Sequence, residues 1–159
     1  MLVNEVEKRF RAQTGDSTLR NEISQHVTIE LTERGLEIEF AAQPESPLFD
    51  ENNTPTPVLE RLISKFAEVA DLTPNPLAIE SHTSARSVVQ VKHNAWNVTS
   101  NQADAVRQKL IDYGVSSYKF QKLVGYGDQI PKVANVMHAQ NSHVKIVFLR
   151  GRSNSLEVE

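Results

Sequence analysis

Residues 57–81 read PVLERLISKFAEVADLTPNPLAIES, and the reading of this stretch decides the fold class. Leu59, Leu62, Ile63, Phe66, Val69 and Ala70 recur at i, i+3, i+4 and i+7, the stripe of an amphipathic helix that ends near Asp71. Pro74 and Pro76 stop it, and residues 77–81 follow as a short strand. Just upstream, Thr54-Pro55 and Thr56-Pro57 each carry the cap-plus-proline signal of a helix start. A helix that hands over to a strand within a few residues predicts helices packed on a sheet.

Working outward towards the N-terminus, residues 41–57 form a loop with Pro44, Pro47, Pro55 and Pro57. Before it, Val27, Ile29 and Leu31, then Leu36, Ile38 and Phe40, alternate with polar residues around a turn at Glu33-Arg34-Gly35. Period two predicts a hairpin, or one bent long strand, with a single buried face. Residues 4–12 suit a short helix with Val6 and Phe10 on one side, TGDS at 14–17 breaks it, and residues 19–25 read equally as helix or loop.

Towards the C-terminus, residues 82–95 make a polar loop with an apolar patch at Val88, Val89 and Val91. Thr99-Ser100-Asn101-Gln102 matches a capping box, in which Gln102 partners the Thr99 cap. Ala103, Val106 and Leu110 then continue a buried stripe up to Gly114, a good residue just past a helix end. A third strand is expected over residues 118–124, a turn at Gly125-Tyr126-Gly127 and a last strand over residues 144–149. The predicted order is β-α-β-α-β-β, with Phe66, Ile79, Val106 and Val147 sharing one core.

A chain of 159 residues supports one domain with a proper core rather than two. Its hydrophobic share of 39% and charged share of 23% are those of a folded globular protein. The net charge of −3 gives no general attraction to nucleic acid or to anionic membranes, so neither is an expected partner. Without cysteine there are no disulfides, thiolate metal sites or thiol nucleophiles. No apolar run reaches the roughly 20 residues that cross a bilayer, and MLVNEVEKRF is too charged for a signal peptide.

Signals for catalysis are thin. His26, His82, His93, His138 and His143 show no metal-ligand spacing, so neither metal nor cofactor is expected. Ser84 lies two residues from His82, but there is no GxSxG elbow and no evident orienting acid. Gly125-Tyr126-Gly127-Asp128 lacks the Lys-Ser/Thr and the following helix of a phosphate loop. Trp96 has two readings, a stacking surface for a sugar or base and a core anchor at the helix start, and the second is preferred. An enzyme is therefore not expected.

Four segments carry a family resemblance. Ile79-Glu80-Ser81-His82-Thr83-Ser84 resembles "I-x-G-H-T-D", and Ala95-Trp96-Asn97-Val98-Thr99 with residues 102–107 resembles "N-W-E-L-S-x-x-R-A-N-A-V-R". Residues 125–131 resemble "G-x-G-x-x-x-P", and residues 141–146 resemble "N-R-R-V-x-I". Together they resemble the OmpA/MotB domain family, the tryptophan pointing to the MotB branch. Pro47-Leu48-Phe49 and the strand at residues 36–40 sit where that branch has similar elements. The resemblance implies an α/β (α+β sandwich) fold, a mixed sheet with two long helices packed on it. It divides the chain into an N-terminal helical extension (1–25), the OmpA/MotB-like domain (26–149) and a flexible tail (150–159).

The resemblance also implies a non-enzymatic role in the periplasm. Such domains attach non-covalently to peptidoglycan, usually as homodimers beside an inner-membrane complex and behind a transmembrane anchor, so a fragment of an anchored protein is expected. The implied pocket comprises Thr83, Ser84, Ala95, Trp96, Gln102, Asn141 and His143. In the family an aspartate and an arginine grip the two ends of a diaminopimelate unit; here Ser84 and Gln102 stand at those positions. Ala95 replaces an asparagine, and Ser142 and His143 replace two arginines. Cell-wall binding is therefore expected to be weak, altered or lost. The alternative is an interaction module of a flagellar or secretion assembly that kept the fold and lost the ligand.

Overall fold

The period-two segments become two separate strands, β1 (Val27–Thr32) and β2 (Gly35–Ala41), joined by a tight turn at Glu33-Arg34. The predicted order therefore gains a strand, and the expectation of one buried face holds only for β1. There Leu31 is exposed, whereas β2 is covered on both faces, by the helix-packed core on one and by charged side chains on the other. The computed structural model describes residues 2–10, 17–84, 94–130, 132–135 and 138–150.

After β2 come α3 (Pro57–Ala70), β3 (Leu77–His82), α4 (Ala95–Asp112), β4 (Phe120–Gly125) and β5 (His143–Leu149). The strands form one mixed sheet in the order β1-β2-β5-β3-β4, with β3 and β4 parallel and every other pair antiparallel. Two further helices precede the sheet, α1 (Leu2–Phe10) and α2 (Ser17–His26), so the ambiguous segment at 19–25 is helical. Val6, Phe10 and Ile23 from these helices enter the same core as Phe66, Ile79 and Val106. Phe10 stacks on Phe40 with ring centres 6.2 Å apart, and Phe66 stacks on Phe148 at 5.3 Å.

Strand alternation sends Leu36, Ile38, Phe40, Val144, Ile146 and Phe148 into this helix-covered core. Val147 is fully buried yet lies outside that cluster, which corrects the expectation that it joins Phe66. Being odd in register, it points to the opposite sheet face, between Glu37 on β2 and Ala78 on β3. That face is roofed by charged side chains. Arg34 forks onto Glu80 at 2.5 and 3.0 Å and reaches Glu37 at 3.0 Å, while Lys145 meets Glu37 at 3.1 Å. Burial pushes the Glu37 carboxyl up, but hydrogen bonds from Thr32, Lys145 and Arg34 outweigh it and hold the group below its usual range.

Thr56 begins α3 with Pro57 in the first turn, but its hydroxyl donates to the Pro47 and Leu48 carbonyls instead of capping the helix. The start of α4 differs more. Asn94 is its cap, accepting the Trp96 N–H at 2.7 Å, so the helix begins well before Thr99. The Thr99–Gln102 segment is helix interior and not a capping box. At the far end, Tyr113 and Gly114 close α4 as predicted. The expected third strand starts later, because Ser116 caps a 3-10 turn over Ser117–Lys119 before Phe120 enters the sheet. The apolar patch at Val88, Val89 and Val91 lies outside the described residues.

Candidate ligand-binding site

The ends of β2, β3 and β4 and the start of β5 meet at one edge of the sheet, and the first turns of α4 lie over the same edge. Close approach of α4 requires a glycine. A Cβ at Gly125 would fall 2.4 Å from the Ser100 nitrogen and 2.5 Å from the Thr99 hydroxyl oxygen. The buried Thr99 hydroxyl donates to the Ala95 carbonyl at 3.0 Å and accepts the Gly127 N–H at 2.9 Å. Thr83 is tied to the same turn, its N–H donating to the Gly127 carbonyl at 3.0 Å. Helix, strand end and turn are thus fixed to one another by buried hydrogen bonds.

A pocket of about 310 Å³ opens beside this junction, lined on one side by residues 42–44 and 47–50 after β2. Thr83 and Ser84 after β3, Gln102 of α4, and Ala139 and Ser142 before β5 complete it. Three residues of the predicted site, Thr83, Ser84 and Gln102, therefore converge. Gln102 is positioned by Ser81, whose hydroxyl donates to its Oε1 at 3.1 Å, and by Asn53, which accepts its Nε2–H at 3.2 Å. Ser84 is held by Ser142, which accepts its N–H at 3.0 Å and donates to its hydroxyl at 3.3 Å.

The other four predicted residues lie elsewhere. Asn141 is buried and its side chain is consumed in pinning residues 132–135, accepting the N–H groups of Lys132 and Val133 and donating to the Asn135 carbonyl. His143 faces the charged side of the sheet. Ala95 sits in the first turn of α4, where its carbonyl serves Thr99. Trp96 is 46% exposed, which overturns its reading as a core anchor.

Asp50 is a lining residue that the sequence reading missed. Its Oδ1 accepts the N–H groups of Asn52 and Thr54 at 2.8 and 3.0 Å, folding the loop back on itself. The signal was available, because Asp50-Glu51-Asn52-Asn53 within a proline-flanked loop favours this side-chain-to-backbone turn. Among the described residues Asp50 is the one charged group of the lining; the remainder are hydroxyls, amides and apolar surface. Such a lining can hydrogen-bond a small polar ligand.

Behind the pocket, His82 is sandwiched between Tyr126 (4.7 Å between ring centres) and His143 (4.3 Å). Both imidazoles are buried, and neither Nδ1 has a hydrogen-bond partner among the described residues. Burial, then the neighbouring His143, pushes His82 down to about 4. Burial likewise lowers His143, opposed by Glu39, whose carboxylate is 3.6 Å away, and assisted by Lys132 and Lys145. With its ring locked in this stack, His82 is not hydrogen-bonded to Ser84 as a base to a nucleophile. No cluster of three metal-ligating side chains occurs among the described residues.

Sheet, helices and pocket together define a mixed α/β domain with a pocket at the ends of its central strands. Residues 48–152 match the profile of the OmpA family, which covers well over half of the chain, and the chain belongs to that family. No curated protein sequence matches it. Among solved structures it is similar to the periplasmic domain of Helicobacter pylori MotB, with a TM-score of 0.68 at 17% identity over 83% of this chain and 87% of that one. A putative MotB-like protein from Desulfovibrio vulgaris gives 0.67 at 15% identity over 94% and 93%. The cell wall anchor of the T6SS from Pseudomonas aeruginosa gives 0.63 at 16% over 83% and 97%. At these identities the likeness is one of fold.

Proposed function

We propose that the chain is a non-enzymatic periplasmic domain that associates with peptidoglycan weakly or in an altered form, through the pocket between Asp50, Ser84 and Gln102. The observation that carries this reading is the convergence of Ser84 and Gln102, from two different elements, on one pocket. These are the positions where the family resemblance puts an aspartate and an arginine. Membership of the OmpA family and similarity to a cell wall anchor support the same reading. A homodimer beside a membrane complex is part of it.

Serine and glutamine cannot supply two charge-assisted contacts to a zwitterion, each worth roughly 1.5–3 kcal/mol. Losing both weakens binding by about 3–6 kcal/mol, on the order of a hundred- to ten-thousand-fold. The natural chain should therefore sediment poorly with purified sacculi. The double change Ser84→Asp, Gln102→Arg should tighten binding of a sugar-free diaminopimelate stem peptide by about a hundredfold. Ala95 does not line the pocket and is left alone. Arginine at 102 gives up the bonds to Ser81 and Asn53, a loss of about 1–2 kcal/mol that a folded domain tolerates. Strong sedimentation of the natural chain, unchanged in Ser84→Ala, overturns this assignment of the pocket. A folded but inert double variant favours the alternative, an interaction module of a flagellar or secretion assembly.

A further inference from the structure

Trp96 is not spent on the core, and its placement is specific. If Gly127 carried a Cβ, that atom would lie 3.3 Å from the indole Cδ2, 3.4 Å from Cε2 and 3.6 Å from Cγ. Cδ2 is bonded to three ring carbons and has no free edge. An atom nearest to it therefore lies over the ring face, so one face of the indole rests on the bare Cα of Gly127. With that face against Gly127 and 46% of the residue exposed, the remaining face and edges are where the indole meets solvent. The ring is held from below by a glycine at φ +65° and through its backbone by the Asn94 cap. It is a flat apolar surface, and packing on Gly127 restricts the ring before any ligand arrives.

Trp96, Thr99 and Gln102 form one i, i+3, i+6 ridge of α4. Thr99 is locked to the Gly127 turn, and Gln102 lines the pocket. Six residues of helix put Trp96 about 9 Å along the axis from Gln102. Two or three extended peptide residues span roughly 7–10 Å. A ligand with a short peptide joined to a sugar can therefore place the peptide in the pocket and the sugar on the indole. A pyranose suits that surface: its axial C–H bonds make a flat, weakly positive face that complements the negative face of an aromatic ring.

We propose that the outer face of Trp96 is a stacking platform for a sugar ring of the glycan strand, a second contact separate from the peptide pocket. This rests on the peptidoglycan reading above, and the two are tested with different probes. Trp96 is the sole tryptophan of the chain, so its fluorescence reports on this site alone. Peptide-free glycan strands at millimolar sugar should shift or quench that emission saturably, whereas the sugar-free stem peptide should leave it nearly unchanged. In sedimentation with sacculi, Trp96→Ala should weaken residual binding about fivefold, and Trp96→Phe, which keeps a ring, by less. Both variants remove a half-exposed side chain, and circular dichroism checks that they fold. If glycan strands leave the emission flat, the platform is overturned whatever the stem peptide does. If the glycan signal appears but the Ser84→Asp, Gln102→Arg chain gains no stem-peptide affinity, the pocket assignment fails and the platform stands.

Discussion

His82 and His143 are two imidazoles stacked in a buried space where a positive charge has no hydrogen-bonded partner at Nδ1. Each protonates in the unfolded chain near 6.5, whereas the folded chain keeps His82 neutral down to about 4. Between those values the unfolded state binds more protons at His82, so stability falls as the pH falls, by up to ~1.4 kcal/mol per pH unit from that group. The lowered His143 acts in the same direction. Denaturant midpoints measured from pH 7 to 4 should show this decline, and His82→Phe, which keeps a stacked ring, should flatten it. An acid limb equally steep in that variant would assign the slope to other groups. These roles were illegible in the sequence, because scattered histidines reveal neither burial nor stacking. Thr99 and Gln102 misled for a related reason. Two inward-facing polar residues three apart satisfy a capping box and also a ridge facing a strand end, and only the Asn94 cap distinguishes them.

The elements themselves were far more legible than their ends. Leu59 to Ala70 and Ala103 to Leu110 sit on single helical faces because burial imposes the 3.6-residue period directly. Boundaries depend on caps and turns a few residues long, and there Asn94 and Ser116 decided matters that periodicity cannot. The second face of the sheet also escaped the reading. Glu37, Glu39 and Glu80 look like solvent-facing residues of half-buried strands, yet Glu80 is only 3% exposed beneath the Arg34 fork. Its partner lies 46 residues away in a hairpin turn, a pairing that no local pattern announces. Arg34→Ala should thus leave a buried carboxylate uncompensated and destabilise the domain by about 3 kcal/mol, less whatever water relieves. Chemical denaturation measures this loss. Adding Glu80→Gln should recover part of it, and no recovery would show that Arg34 acts through the turn alone.

At the scale of the whole molecule, the sequence led to the right family because four weak segments kept their order along the chain, a property of the fold rather than of any one site. It did not reveal that residues 2–10 and 17–26 help to complete the core, where Val6, Phe10 and Ile23 lie beside the hairpin and α3. The proposed homodimer belongs to this scale, and light scattering at high protein concentration should give twice the mass of 17.8 kDa. A monomer under those conditions removes dimerisation from the reading and leaves the pocket untouched. The sheet order has a consequence in time. The strand made last, β5, occupies the middle of the sheet, between β2 and β3. Until β5 is available, the hairpin and the β3-β4 pair each keep an unpaired edge, and no strand pairing joins them. A chain delivered N-terminus first therefore waits, half-assembled and with two sticky edges, for the seven residues of β5 before the sheet can close.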